Sequence, residues 1–447
     1  MRSARTRELW NLLWVALLTG IGFLAVYTAR QQEISSTSLV YAGFFFALYA
    51  IAHLGLRAGL PDADPWLLPL AALMTAIGLT EIYRLSPTLA RDQSVWIVVG
   101  LVGFLALILV LGDIRKLEDY KYTIGAAAVA LLLVTMLVGT TINGARLWIQ
   151  AGGVQVQPGE FSKLLLVIFL AGYLREKREL LMMTHRRVLG IGFPALRHLG
   201  PLLTMTGVAL AVVAVMNDMG TALLLYGIFL AMLYTATGRN LYTVVGIALF
   251  AAGSWFVYQA TPHVQERFTI WLDPWKDAQD TGYQIIQSIE SIADGGVFGA
   301  GLGRSFQLLQ NGTPVIPAAQ TDGIYAVWAN ESGLAGAAAL LLVYLLFCYR
   351  GFKTATLAVD GFSKLLATGL TFAFGLQAFL IVGGVTRLIP LTGITLPFVS
   401  YGGSSIVSNF ALLAMLLMVS DRAHRGRRPS AALPAGRSWT RSTSRRS

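Results

Sequence analysis

Four stretches of the chain place ionisable side chains within or at the ends of apolar blocks, where such groups are costly and become candidates for function. The first is Asn143-Gly-Ala-Arg-Leu-Trp-Ile followed by Gln157-Pro-Gly-Glu-Phe-Ser-Lys. Pro158 can open a helix whose first turn carries Glu160, favoured by the helix dipole, and Lys163, disfavoured by it. The i,i+3 spacing lets these two pair. An anionic ligand held by Arg146 and Lys163 is the other reading, because both fall on the side of the membrane where cations are scarce. The second stretch, Met216-Asn-Asp-Met-Gly-Thr, interrupts an apolar run too long for one span and puts Asp218 in a polar turn near the membrane face. The third is Thr321-Asp322 with Glu331 nearby, and the fourth is Thr386-Arg387 ahead of the Pro, Gly and hydroxyl-rich run 390–405. Backbone of that last kind survives at membrane depth only when protein or a water-filled cavity surrounds it, so it reads as re-entrant.

The one long loop, 261–323, holds three further carboxylates. Asp273, Asp277 and Asp280 lie among Trp271, Pro274 and Trp275. Asp273 before Pro274 also suits a turn that merely shapes the loop. Ile285, Ile289 and Ile292 then repeat at helical spacing, which suits a helix lying at the membrane face, apolar side down. Gly295, Gly296, Gly299, Gly301 and Gly303 read as a flexible connection. A nucleotide-binding reading of these glycines lacks its strand and helix context.

The elements that must position these residues are membrane helices. Of 447 residues, 55% are hydrophobic and only 13% charged, and the mean hydropathy is +0.63. Twelve spans are expected near 10–29, 38–57, 65–83, 94–112, 122–141, 160–174, 199–216, 219–237, 241–260, 324–349, 364–385 and 404–420, each matching the length that hydrocarbon requires. Continuous apolar blocks exclude a β-barrel. The first block, about 18 apolar residues, is too long for a signal-peptide core and reads as a retained anchor.

With the N-terminus inside, roughly 25 of the Lys and Arg residues fall on the cytoplasmic side and about 9 outside, which makes both termini cytoplasmic and the long loop extracytoplasmic. The net charge of +11 sits in short loops and in the Arg-rich tail 421–447, which reads as disordered and suits anionic membrane lipids rather than nucleic acid. A single cysteine, Cys348, and five scattered histidines argue against disulfides and a zinc site.

Together these residues closely resemble the SEDS (shape, elongation, division and sporulation) family of RodA- and FtsW-type peptidoglycan polymerases. The likeness is carried by Gly144-Ala-Arg146 with Trp148, Gln157-Pro-Gly-Glu160-Phe-Ser-Lys163, Asp218 with Gly220-Thr221, and Trp271-Leu-Asp-Pro-Trp-Lys-Asp277 through Gly282-Tyr-Gln284. It continues in Pro317 with Thr321-Asp322 and in Pro390-Leu-Thr-Gly through Tyr401-Gly-Gly-Ser404-Ser. Members typically have ten spans, so the two helices in 1–60 look additional to a core over 61–420, an arrangement similar to the RodA-like members of actinobacteria. The chain departs from the usual family pattern at Ala278, Asn217, Gly323 and Asn330.

The resemblance implies an all-α polytopic bundle that joins lipid II disaccharides into glycan strands outside the cytoplasmic membrane, in elongation or division. It implies that Asp277 is the base that accepts the acceptor hydroxyl's proton, with Asp273 the competitor. It further implies substrate binding by Arg146, Glu160, Lys163, Asp218, Gln284, Thr321, Asp322, Arg387 and Ser404, with the cations facing pyrophosphate. A divalent cation, Mg2+ or Mn2+, and a class B penicillin-binding transpeptidase partner are further implications. Two other classes share the composition: a lipid II flippase or carrier, and a catalytically weak scaffold of the elongation or division complex. A carrier usually shows two related halves and a midplane polar site, and neither is visible here.

Overall fold

In lipid a backbone has no water to bond to, so long apolar runs close their hydrogen bonds within themselves as helices. The computed structural model describes residues 4–31, 36–142, 144–183, 186–188, 191–193, 196–305 and 314–426. In chain order the first elements are α1 (Ala4–Gln31), α2 (Ser36–Gly59), α3 (Leu67–Leu85), α4 (Pro87–Leu111), the short α5 (Lys116–Asp119) and α6 (Lys121–Val138). Strands β1 (Thr140–Ile142), β2 (Ala145–Ala151) and β3 (Val154–Val156) lead into α7 (Gly159–Met182). After β4 (Arg186–Val188) and β5 (Ile191–Phe193) come α8 (Leu196–Val215), α9 (Met219–Thr237) and α10 (Asn240–Ala260). The long loop contains α11 (Pro262–Leu272), a 3-10 turn at Pro274–Asp277 and α12 (Tyr283–Asp294). Then α13 (Ile324–Leu357), α14 (Gly361–Val385) and α15 (Gly403–Arg425) close the bundle.

Among the described residues eleven helices are long and apolar enough to cross a membrane, so the protein is a multi-pass membrane protein. The remaining expected span, 160–174, is α7. It opens with Glu160 and Lys163 and runs into charges from Arg175 onward, and it tolerates them because it is buried among α6, α9, α14 and α15. Helices α3, α14 and α15 form the interior, whereas α10 is mostly exposed.

Both described chain ends lie on one face of the bundle. Arg5 donates to the carbonyl of Ala63, Asp62 N–H donates to Asp421 at 2.8 Å, and Arg425 donates to Gly59 O at 3.2 Å. On this face Arg422 pairs with Asp113 at 3.0 Å and Arg350 pairs with Asp64. The segment expected as a tail from 421 is helical to Arg425, and 427–447 lies outside the described residues.

Three differences from the sequence reading concern the opposite face. The expected helical bundle is present and carries one addition, a small three-stranded antiparallel sheet of β1, β2 and β3 ahead of α7. Its β2–β3 turn is Gly152-Gly153, both at positive φ (58° and 82°), where only glycine is free of strain. The glycine-rich connection is also fixed rather than flexible. Ala300 N–H and Gly301 N–H donate to Asn330 O and Glu331 O, each at 3.0 Å, and Glu331 accepts from Gly303 N–H (2.7 Å), Ser305 (2.6 Å) and Arg84 (3.2 Å). Gly299 (φ 83°) and Gly333 (φ 67°, a kink inside α13) pass so closely that a Cβ on Gly299 would lie 2.2 Å from Glu331 O. Finally, α12 packs on α13, burying Ser288 and Ser291 along with Ile285 and Ile286.

The run 386–402 contains no helix and is buried from Ile394 to Ser400. Its polar backbone finds partners in protein, as re-entrant chain requires. Tyr344 donates to Pro397 O (2.6 Å), Gln377 to Thr395 O (2.8 Å) and Gln93 to Ser400 O (3.3 Å). Phe398 sits among Phe347, Phe374 and Phe410, with ring centroids 6.5, 6.1 and 5.3 Å away.

Candidate functional site

A cavity of about 1160 Å³ opens on the face opposite the chain ends. Its walls come from α4, the β-sheet, the turn before α9, α11, α12, the segment before α13 and the re-entrant run. Its apolar lining includes Ile142, Leu147 and the α4 valines Val95 and Val99, and both valines are exposed on the helix surface. Its polar lining includes Gln157, Glu160, Asp218, Gln284, Thr321, Asp322 and Tyr401. A shallower pocket of about 270 Å³ adjoins it, lined by Glu266, Asp273, Lys276, Asp277 and Thr281 among others. Glu266, Ile270 and Thr281 belong to both, so the two are continuous.

Of the sequence-predicted residues, Glu160, Asp218, Gln284, Thr321 and Asp322 line the large cavity. Asp218 is the N-cap of α9, accepting from Thr221 N–H at 2.9 Å. Asp322 precedes α13, and burial pushes its carboxyl up to about 6, with the Thr321 hydroxyl and Arg267 pulling the other way. Asp277 lies on the exposed 3-10 turn that lines the adjoining pocket. The Thr281 hydroxyl (2.7 Å) and N–H (3.3 Å) donate to its carboxylate and hold it below the usual carboxylate range, so it is ionised at neutral pH.

The three expected cations take other places. Lys163 is buried, with its ammonium 2.5 Å from Glu160 and 2.7 Å from Gln377. Ser408 donates to the same Glu160 oxygen at 3.0 Å, and Gln377, Thr395 and Ser405 extend this chain of bonds under the cavity floor. Of the two readings for Lys163, the ion pair describes the geometry. Arg387 is fastened to the carbonyls of Trp271 and Leu272 and stacks over Trp275 at 5.3 Å. Arg146 is exposed on β2; its guanidinium donates to Met136 O (3.1 Å) and its N–H to Met216 O (3.3 Å). None of the three lines the cavity, and neither does Ser404, which is buried and accepts from Gln157 N–H at 2.8 Å.

Three charged wall residues went unnoticed in the sequence, Arg267, Asp92 and Glu266. The signal for Arg267 was present: Pro262 opens a helix over the stretch ahead of Asp277, and a cation there is conspicuous on a cation-poor side. No cluster of three His, Cys, Asp or Glu side chains able to hold a metal occurs among the described residues. The divalent cation therefore finds no all-protein ligand set in them.

A family model described as "Cell cycle protein", covering FtsW, RodA and SpoVE, matches residues 66–425. The chain belongs to the FtsW/RodA/SpoVE family. It is 41% identical to a Mycobacterium bovis protein named peptidoglycan glycosyltransferase RodA, over 98% of this chain and 94% of that one. It is 31% identical to the stage V sporulation protein E of Bacillus subtilis, over 80% of this chain and 96% of that one. A solved structure titled as a peptidoglycan synthase complex that coordinates polymerization and crosslinking superimposes with a TM-score of 0.65 at 28% identity, covering 81% of this chain and 98% of that one. The family match begins at residue 66, after α1 and α2, while the mycobacterial relative's 98% coverage takes in that helix pair as well.

Proposed function

We propose that this protein is a peptidoglycan glycosyltransferase that polymerises lipid II at the outer face of the cytoplasmic membrane, with both chain ends cytoplasmic. The observation that carries the reading is the mixed wall of one large cavity. Its lining combines exposed valines on α4, the buried carboxylates of Glu160 and Asp218 and the guanidinium of Arg267, and it shares Glu266, Ile270 and Thr281 with the Asp277 pocket. A substrate with an apolar tail, an anionic pyrophosphate and a sugar end has the same range of chemistry. Relatives across the family carry the matching name.

In this reading the donor's tail lies against α4 and its pyrophosphate enters the cavity. The acceptor's sugar hydroxyl attacks the anomeric carbon from the opposite side. The new C–O bond forms as the bond to pyrophosphate breaks, the electron pair leaves on the lipid pyrophosphate, and the hydroxyl proton passes to Asp277. Ionisation of Asp277 and its exposure beside the cavity support its role as that base. A second assignment has one observation in its favour: Asp322 lies inside the cavity with its carboxyl at about 6, close to the range that suits proton transfer near neutral pH. The likeness to a synthase complex supports a class B penicillin-binding transpeptidase as partner.

Purified protein incubated with labelled lipid II, with and without that transpeptidase, tests the proposal. Glycan strands are the expected product. Translocation of lipid II across vesicles without strand formation would move the protein to the carrier class.

A further inference from the structure

The large cavity carries five carboxylates on its wall, Asp92, Glu160, Asp218, Glu266 and Asp322, and one cation, Arg267. On such a wall Arg267 is the one lining side chain that attracts an anion. Glu160 is neutralised by Lys163 at 2.5 Å, and Arg146 and Arg387 give donors to backbone carbonyls outside the wall. The electrostatics of the cavity are therefore decided at one residue.

Arg267 sits in the middle of α11, ten residues before Asp277. Its guanidinium donates to Leu391 O at 3.3 Å, which ties it to the re-entrant run. Asp218 and Asp322, on two different elements, both feel its charge, yet among the described residues no carboxylate lies within ion-pair distance of it. A guanidinium has five N–H donors in a planar fork that matches phosphate oxygens two at a time. With one donor fixed on a carbonyl, the rest of the fork remains for a ligand. A lysine at this place would offer a point charge without that fit.

We propose that Arg267 is the residue that grips the pyrophosphate of the lipid-linked donor and stabilises the charge it gains as it leaves. This rests on the polymerase reading and adds to it the donor-anion contact. The acceptor sugar, which lacks a departing phosphate, does not use it.

The test compares wild type with Arg267→Gln and Arg267→Lys, purified in full length, using undecaprenyl pyrophosphate and undecaprenyl monophosphate as binding probes beside lipid II polymerisation. Arg267→Gln should weaken pyrophosphate-lipid binding tenfold or more and raise the KM for lipid II, with a smaller loss for the monophosphate, while its melting temperature stays near wild type. Arg267→Lys should recover part of the binding. Equal binding of both probes by wild type and Arg267→Gln, with wild type still polymerising, would overturn the proposal and leave the polymerase reading intact. Arg267-dependent binding without polymerisation by wild type would support the proposal and remove the polymerase reading. A loss of binding in Arg267→Gln that is the same for both probes, and that Arg267→Lys does not recover, would assign the residue to shape alone and overturn the proposal.

Discussion

Two acidic regions lie side by side in this protein and use their charges in opposite ways. On the cavity floor Glu160 is buried against Lys163, Ser408 and Gln377, every partner supplied by the bundle itself. On the neighbouring shelf Asp273, Asp277 and Asp280 are exposed, and Asp277 is braced only within its own turn, by Thr281 and the backbone of Asp280. The floor's charges hold α7, α14 and α15 together at the base of the site. The shelf's charges face water. A charged side chain near a membrane site therefore identifies chemistry only after its partners are counted, because a fully partnered ion pair has little left for a ligand.

The floor is the place where a substitution should do the most to the fold. Lys163→Met leaves Glu160 buried and unpaired, a change that costs about 3–5 kcal/mol for ion pairs of this kind. Thermal unfolding in detergent should show the loss, and Glu160→Gln combined with Lys163→Met should recover much of it. If Lys163→Met melts like wild type but no longer polymerises, the ammonium serves substrate and the two regions are less distinct than described.

Asp322 lies between the extremes, and its pH dependence places it. Its carboxyl is raised from the ordinary 3.8 to about 6 by burial, so between pH 4 and 6 the folded chain keeps a proton that the unfolded chain releases. Stability from this group is therefore present below about pH 4, falls as pH rises toward 6 and is flat above, by up to about 3 kcal/mol. Melting curves from pH 4 to 8 should show this decline in wild type relative to Asp322→Asn. Parallel curves would mean that the carboxyl is solvated like those on the shelf.

On the shelf itself the neighbours of Asp277 should matter least. Asp273→Asn and Asp280→Asn should keep polymerisation within about fivefold, the range of an exposed charge worth up to ~1 kcal/mol. A larger loss at Asp273 would widen the active part of the shelf.

Much of this was legible in the sequence because hydrocarbon enforces simple patterns. Apolar runs gave the spans, and the Pro, Gly and hydroxyl-rich run before Tyr401 gave the re-entrant segment. Short-range pairing was legible too, since Glu160 and Lys163 are one helical turn apart. What sequence could not show was direction. Arg387 lies 116 residues from Trp271, whose carbonyl takes its Nε–H, and the strap of glycines depends on Glu331 and Arg84, contributed by α13 and α3. The sheet before α7 had a readable signal in Gly152-Gly153 between β-forming residues, but in a chain of apolar helices that signal is short.

The measurement that bears most directly on the account is polymerisation of labelled lipid II by Asp277→Asn and Asp322→Asn, each purified with the transpeptidase and each checked for lipid II binding. The asparagine at 277 keeps shape and removes the proton acceptor, so turnover should fall about a hundredfold or more while binding is unchanged; Asp322→Asn should keep most of its rate. Normal polymerisation by Asp277→Asn alongside a dead Asp322→Asn would move the base from the shelf into the cavity, and wild-type rates from both would contradict the catalytic reading of the site.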